Sequence, residues 1–300
     1  MMVAAAVFLM LIAPAEALAW GPITHLAHGA DALGNLTIVG AALQRLLTRN
    51  RLAYLYGCVG ADITQAKKYT RAQQFHCHSW RVGWAILEHA QTDTQRAFAY
   101  GYLTHLASDV YSHNHYVPTQ LVVSFRALAL RHIYWEARFD ALQDSASRDI
   151  VSEVRYARFP ECDTLVRDVV SRTLFSFSTD KRIFNSFIAI HDLDQWHGVM
   201  QRLIARSRYE LPPATVQRYN GACGASIIDM LVHGKQADNQ LADPTGLVAL
   251  TAAKEIRSTL KALARRGQLS RKLQEEIDRL NERHELPPVG SLAVLPAPAG

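Results

Sequence analysis

Residues 104–116 read THLASDVYSHNHY, which sets His105, Asp109 and His113 at i, i+4 and i+8. On an α-helix that spacing stacks all three on one face within about three turns. A polar stripe of this kind is ordinarily a solvated surface. Here the flanking AFAYGYL and the internal VYS are too apolar for a helix lying in water. Buried His and Asp side chains need partners, and metal coordination is one of the few arrangements that satisfies several at once.

Helical periodicity extends through most of the chain. Residues 31–56 carry apolar positions at Leu33, Leu36, Val39, Ala42, Leu43, Leu46 and Leu47, and segments 80–91, 95–113, 121–143 and 163–176 read similarly. Residues 248–265 repeat apolar positions from Ala249 to Leu263, with Gly267 as the expected C-cap. Ser270 is then expected to open a shorter helix carrying Leu273, Ile277 and Leu280. Strand-like alternation is scarce, so the expected class is all-α, a multi-helix bundle. The final LPPVGSLAVLPAPAG predicts a disordered Pro-rich tail over 285–300.

The N-terminus bears on compartment. Val3 to Ala13 is an apolar run of 11 residues, followed by Pro14 and the small-residue pattern Ala17-Leu18-Ala19. This reads as a secretory signal peptide over 1–19, too short to span a bilayer, though without the usual basic start. The mature protein is then expected outside the cytoplasm, secreted or periplasmic, beginning at Trp20. Export permits disulfides, and of Cys58, Cys77, Cys162 and Cys223 the first expected pair is Cys58 with Cys77. A formal charge of +5 favours anionic partners without choosing among phosphates, lipid surfaces and nucleic acid.

Histidine is the more telling residue: nine of the 13 lie between His25 and His132. HIYWE places His132 and Glu136 one helical turn apart. A lone HxxxE is common in helices, but this one follows the His105 helix directly, across a turn expected at Pro118. Asp62 lies in GCVGADI, where a carboxylate alone is unremarkable. FHCHSW offers His76 and His78, of which an extended segment aims only one inward. WGPITH puts His25 five residues after Trp20, whose freed α-amine is itself a nitrogen donor.

In order, WG..TH, an Asp, HSW, GYLTHLASDVYSH and HxxxE resemble the zinc-dependent phospholipase C family. The family includes the phospholipase C/D domain of glycosylphosphatidylinositol-specific phospholipase D, and its fold is shared with zinc-dependent single-strand nucleases. The resemblance spans roughly Trp20 to Asp140, with looser support to about residue 235. It implies a domain over 20–235, leaving 236–284 as a C-terminal helical extension.

The resemblance further implies about three zinc ions per chain. Asp62, His78, His105 and Asp109 would hold the first, and His113, His132 and Glu136 the second. Trp20, through its amine and carbonyl, would hold the third with His25 and a bridging Asp109. His115 competes with His113, since some members use a six-residue spacing after the Asp; His76 remains a substitute for His78. The implied reaction is attack on phosphorus by a zinc-bound hydroxide, with Asp62 orienting or deprotonating the water. A phospholipid or another phosphodiester is the implied substrate, and peripheral membrane contact is implied with the former. The alternatives are nucleic acid on the same metal site, with Trp80, Trp84, Tyr56 and Tyr134 as stacking platforms, or a zinc-binding interaction module without turnover.

Overall fold

The computed structural model describes residues 20–127, 132–207 and 209–282. The expected signal peptide over 1–19 and the Pro-rich tail over 285–300 lie outside the described residues. Thr92 opens the central helix, Asp93–Tyr111, with a capping box: its side chain accepts from Gln95 N–H, and the Gln95 side chain accepts from Thr92 N–H. From Ala97 onward nearly every residue of this helix is buried, which explains why its sequence shows no clean apolar stripe.

Helices close around it on several sides: Pro22–Gly34, Arg51–Gly57, Trp80–His89 and Pro213–His233. Arg51–Gly57 approaches most tightly. Gly57 and Gly101 face each other there, and a Cβ on either would strike the opposing backbone, at Phe98 for Gly57 and at Tyr54 for Gly101. One apolar core, with Leu26, Tyr54, Phe98, Leu103 and Ile227, fills this side. A second holds Trp20, Tyr116, Trp135, Phe139, Leu250 and Leu260. No strand is present among the described residues, and the chain is all-α. No described helix is long and apolar enough to cross a membrane.

Several expected boundaries are corrected. The 31–56 segment is divided into Pro22–Gly34, a short turn at Leu36–Ile38, Ala41–Arg49 and Arg51–Gly57. The breaks fall at Asn35, at Val39–Gly40 and at Asn50, where the backbone leaves helical geometry. The chain does not turn at Pro118. It continues from Tyr111 through a π-turn, Ser112–Tyr116, into the helix Val117–Val123, where Pro118 occupies the first turn and needs no N–H partner. The 121–143 segment accordingly becomes Val117–Val123 and His132–Asp140. Residues 163–176 are helical only as part of Pro160–Val169. At the C-terminal end the expectation matches: Leu247–Arg265 is helical, Gly267 has φ +66°, and Leu273 N–H donates to Ser270 Oγ at 3.2 Å.

Cys58 and Cys77 do not pair. All four cysteines are buried free thiols. Cys58 Sγ is packed against the Gly29 backbone, whereas Cys77 Sγ lies 3.3 Å from His78 Nδ1, so the two sulfurs occupy different surroundings.

Candidate metal centre

The buried central helix presents His105 and Asp109 from successive turns, and the π-turn adds His113. His105 Nδ1 donates to Cys58 C=O at 2.9 Å, which turns Nε2 inward. There it lies 3.1 Å from Asp109 Oδ2 and 3.0 Å from His78 Nε2. His78 Nε2 is also 3.2 Å from Asp109 Oδ2 and 3.5 Å from Asp62 Oδ1. Pro22–Gly34 contributes His25, whose Nε2 is 3.3 Å from Asp109 Oδ1.

A second pocket joins His113, His132 and Glu136. His132 Nε2 lies 2.5 Å and His113 Nε2 3.9 Å from Glu136 Oε1. The 6.4 Å between the His78 and His113 ring centroids ties the two pockets together. Three of the donor groups among the described residues combine histidine with a carboxylate: Asp62, His78 and His105; His25, His105 and Asp109; and His113, His132 and Glu136. Within each, one ligand atom per residue lies within 4.8 Å of the others. Every one of these side chains is buried.

Of the alternatives weighed in the sequence, His115 joins none of these groups; its ring packs against Tyr111 with centroids 5.6 Å apart. His76 Nδ1 accepts from His78 N–H at 3.1 Å and forms a group only with its neighbours Cys77 and His78. Trp20 is fully buried. Its ring packs on Tyr116 and Phe139 at 4.9 and 4.2 Å between centroids, and its indole N–H donates to Ser108 C=O at 3.2 Å.

These donors fit a cation. Both nitrogens of His25 and of His132, and both oxygens of Asp109 and of Glu136, are buried without a hydrogen bond of proper geometry. His78 and His105 point ring nitrogens at each other and at one carboxylate, an arrangement that shared coordination satisfies. His and carboxylate are the usual zinc donors.

The electrostatics agree. Burial, helped by His105, pushes His25 down to about 4, leaving a neutral imidazole. Burial and His113 likewise push His132 down. Burial, reinforced by Asp109 and Asp62, pushes Glu136 well above the carboxylate range. Burial acts in the same sense on Asp109, but His105 and His25 outweigh it and hold that carboxyl low.

Lys67 is the residue that the sequence reading missed. Its side chain is only 4% exposed, and Nζ lies 2.6 Å from Asp62 Oδ1 and 3.3 Å from His78 Nε2. Burial opposes ionisation of Asp62, yet the Lys67 ammonium and His105 outweigh it and hold the carboxyl far below its usual range. A lysine in the dipeptide Lys67-Lys68 reads as solvated surface, so nothing in the sequence marks it. Pro244, whose carbonyl accepts from His113 Nδ1 at 2.6 Å, was equally unmarked.

Fold and site together define an all-α protein with a buried histidine–carboxylate centre suited to zinc. The family model for zinc-dependent phospholipase C matches residues 24–186, more than half of the chain, and the chain belongs to that family. The match includes every candidate ligand except Trp20 and ends well before Pro244. No curated protein and no solved structure matches the chain.

Proposed function

We propose that the chain is a secreted phosphodiester hydrolase of the phospholipase C type, with three zinc ions held as the resemblance implies. The observation that carries this reading is the set of three neighbouring donor groups: two share His105 and are joined by the 3.2 Å approach of His78 Nε2 to Asp109 Oδ2, and the third lies beside them across the His78 and His113 rings. Asp62, His78, His105 and Asp109 would hold one ion, and His113, His132 and Glu136 a second. His25, Asp109 and the Trp20 amine and carbonyl would hold a third. When bound, zinc supplies a Lewis acid that lowers the pKa of water toward 7 and neutralises charge developing on a phosphoryl group.

The chain's own residues do the rest. Asp62, kept ionised beside Lys67, accepts a hydrogen bond from the attacking water and so orients it. Lys67 supplies one positive charge directly against the Asp62 carboxylate. The neutral imidazoles of His25 and His132 offer lone pairs without first losing a proton. Burial of all these groups keeps bulk water from screening them. Cleavage of residues 1–19 would expose the Trp20 amine outside the cytoplasm.

Three of the four aromatic residues considered as platforms for the nuclease alternative also have structural roles. Trp80 and Trp84 commit their indole N–H groups to Ala242 C=O and Gln240 Oε1 at 2.9 and 2.8 Å, and Tyr56 is buried against Phe98 and Phe159. The deciding experiment assays the purified mature protein, with and without chelator, on phospholipid vesicles, a chromogenic phosphocholine ester and single-stranded DNA. Chelator-sensitive release of a phosphorylated head group is expected. Turnover of DNA alone would select the nuclease, and no turnover with full zinc would select a binding module.

A further inference from the structure

The chain beyond residue 186 lies outside the family match, yet one part of it reaches the metal centre. The turn 239–246 runs between Pro213–His233 and Leu247–Arg265. It is fixed at four places. Asn239 Nδ2 donates to Ser226 C=O and Oγ, both at 2.9 Å, and Ser226 Oγ donates to Ala107 C=O on the central helix at 3.1 Å. Trp84 and Trp80 hold Gln240 and Ala242 as described above. Asn114 Nδ2, in the π-turn, donates to both Val110 C=O and Asp243 C=O at 2.9 Å. Asp243 in turn accepts from Thr245 N–H at 2.9 Å and Leu247 N–H at 3.3 Å, closing the turn onto the next helix.

The result is a rigid carbonyl, that of Pro244, delivered to His113 Nδ1 at 2.6 Å. Proline has no N–H to compete for a different register. Gly246 completes the approach: its φ is +56°, and a Cβ there would strike the Cβ and carbonyl of His113. A carbonyl acceptor at Nδ1 keeps the proton on that nitrogen and leaves the Nε2 lone pair facing Glu136 and His132.

We infer that the 239–246 turn positions the second metal pocket, with Pro244 fixing the tautomer and aim of His113 and Gly246 and Asn114 setting the distance. This rests on the reading of His113 as a zinc ligand. The domain therefore requires residues outside the family match to complete its centre.

The test compares His113→Ala, Asn114→Ala and Gly246→Ala in the full mature chain. Zinc affinity is read by chelator competition and histidine tautomers by ¹⁵N NMR. His113→Ala should lose one zinc. Asn114→Ala and Gly246→Ala should weaken one zinc by about 10- to 100-fold, the range for a lost outer partner. They should also erase a single Nδ1–H histidine signal while leaving the other zinc ions at wild-type affinity. Asn114→Ala serves if Gly246→Ala fails to fold. A purely structural turn would lower the melting temperature and leave that zinc affinity and that signal in place, which overturns the inference. Full zinc in His113→Ala would instead overturn the ligand reading beneath it, and the inference with it.

Discussion

His25 and His105 stack face to face, ring centroids 3.8 Å apart at 12°, with their Nε2 atoms on opposite oxygens of Asp109. One carboxylate thus faces two histidines at once, one on each oxygen. Asp109→Asn keeps the shape but removes the charge, so it should cost roughly two of the three proposed zinc ions and at least about a hundredfold in activity. Elemental analysis of the dialysed variant checks this; loss of no zinc would mean Asp109 is only a hydrogen-bonding residue.

The histidine pairs give a ranking. His113 and His78 sit inside donor groups with carboxylates, whereas His115 packs on Tyr111 and His76 braces the His78 backbone. Alanine at 113 or 78 should abolish activity and lower zinc content. Alanine at 115 or 76 should leave activity within about tenfold and all zinc bound. The reverse order in either pair would move the ligand to the neighbouring histidine.

What the sequence disclosed, and what it withheld, follows from the range of each signal. His105 and Asp109 were legible because helical spacing is local and their apolar flanks forbade a solvated face. The all-α class was legible for the same reason. The π-turn at Ser112–Tyr116 was not, because one widened turn leaves no mark on apolar spacing. Breaks at Asn35 and Asn50 were hidden by apolar residues that continue in register on both sides. Lys67 and Pro244 act through contacts that only the tertiary fold creates: Lys67 to His78, 11 residues away, and Pro244 to His113, 131 residues away. Neither residue type advertises such a role.

Asp140 predicts a pH-dependent stability. Its Oδ1 accepts from Thr24 N–H at 2.7 Å and so caps Pro22–Gly34, whose own N-cap, Gly21, offers no side chain. Burial pushes its carboxyl up to about 7. A carboxyl raised on folding stabilises the native state fully below its unfolded value near 3.8. That contribution is lost as pH rises toward 7. At about 1.4 kcal/mol per pH unit, the loss is of order 4 kcal/mol. Chelator-treated Asp140→Asn should therefore lose less stability than the wild type between pH 4 and pH 7. Denaturant melts at several pH values read the difference, and parallel curves would remove Asp140 from the account.

Lys67 and Asp62 form a buried pair, and breaking one leaves an uncompensated charge worth about 3–5 kcal/mol. Lys67→Met should show that loss in chelator-treated protein. With zinc bound nearby the loss should shrink, because the ion supplies the missing positive charge. Equal destabilisation with and without zinc would show that no cation reaches Asp62.

Trp20 carries two separable roles, and the last prediction divides them. Its ring is core: fully buried, packed on Tyr116 and Phe139, with an indole bond to Ser108. Its proposed second role belongs to an α-amine that exists only after residues 1–19 are removed. With a pKa of about 7.7–8.0, such an amine gives up its proton to zinc near neutral pH. Mature protein starting at Trp20 should hold three zinc ions. Protein retaining residues 1–19, or with one alanine added before Trp20, should hold one fewer and be much less active, since the amine–carbonyl chelate is broken. Trp20→Phe keeps the amine and most of the packing. It should keep all three proposed ions and lose about 2–3 kcal/mol, for the missing hydrogen bond and the space left by the smaller ring. Equal zinc in the mature, leader-retaining and alanine-extended forms would leave Trp20 as core packing alone.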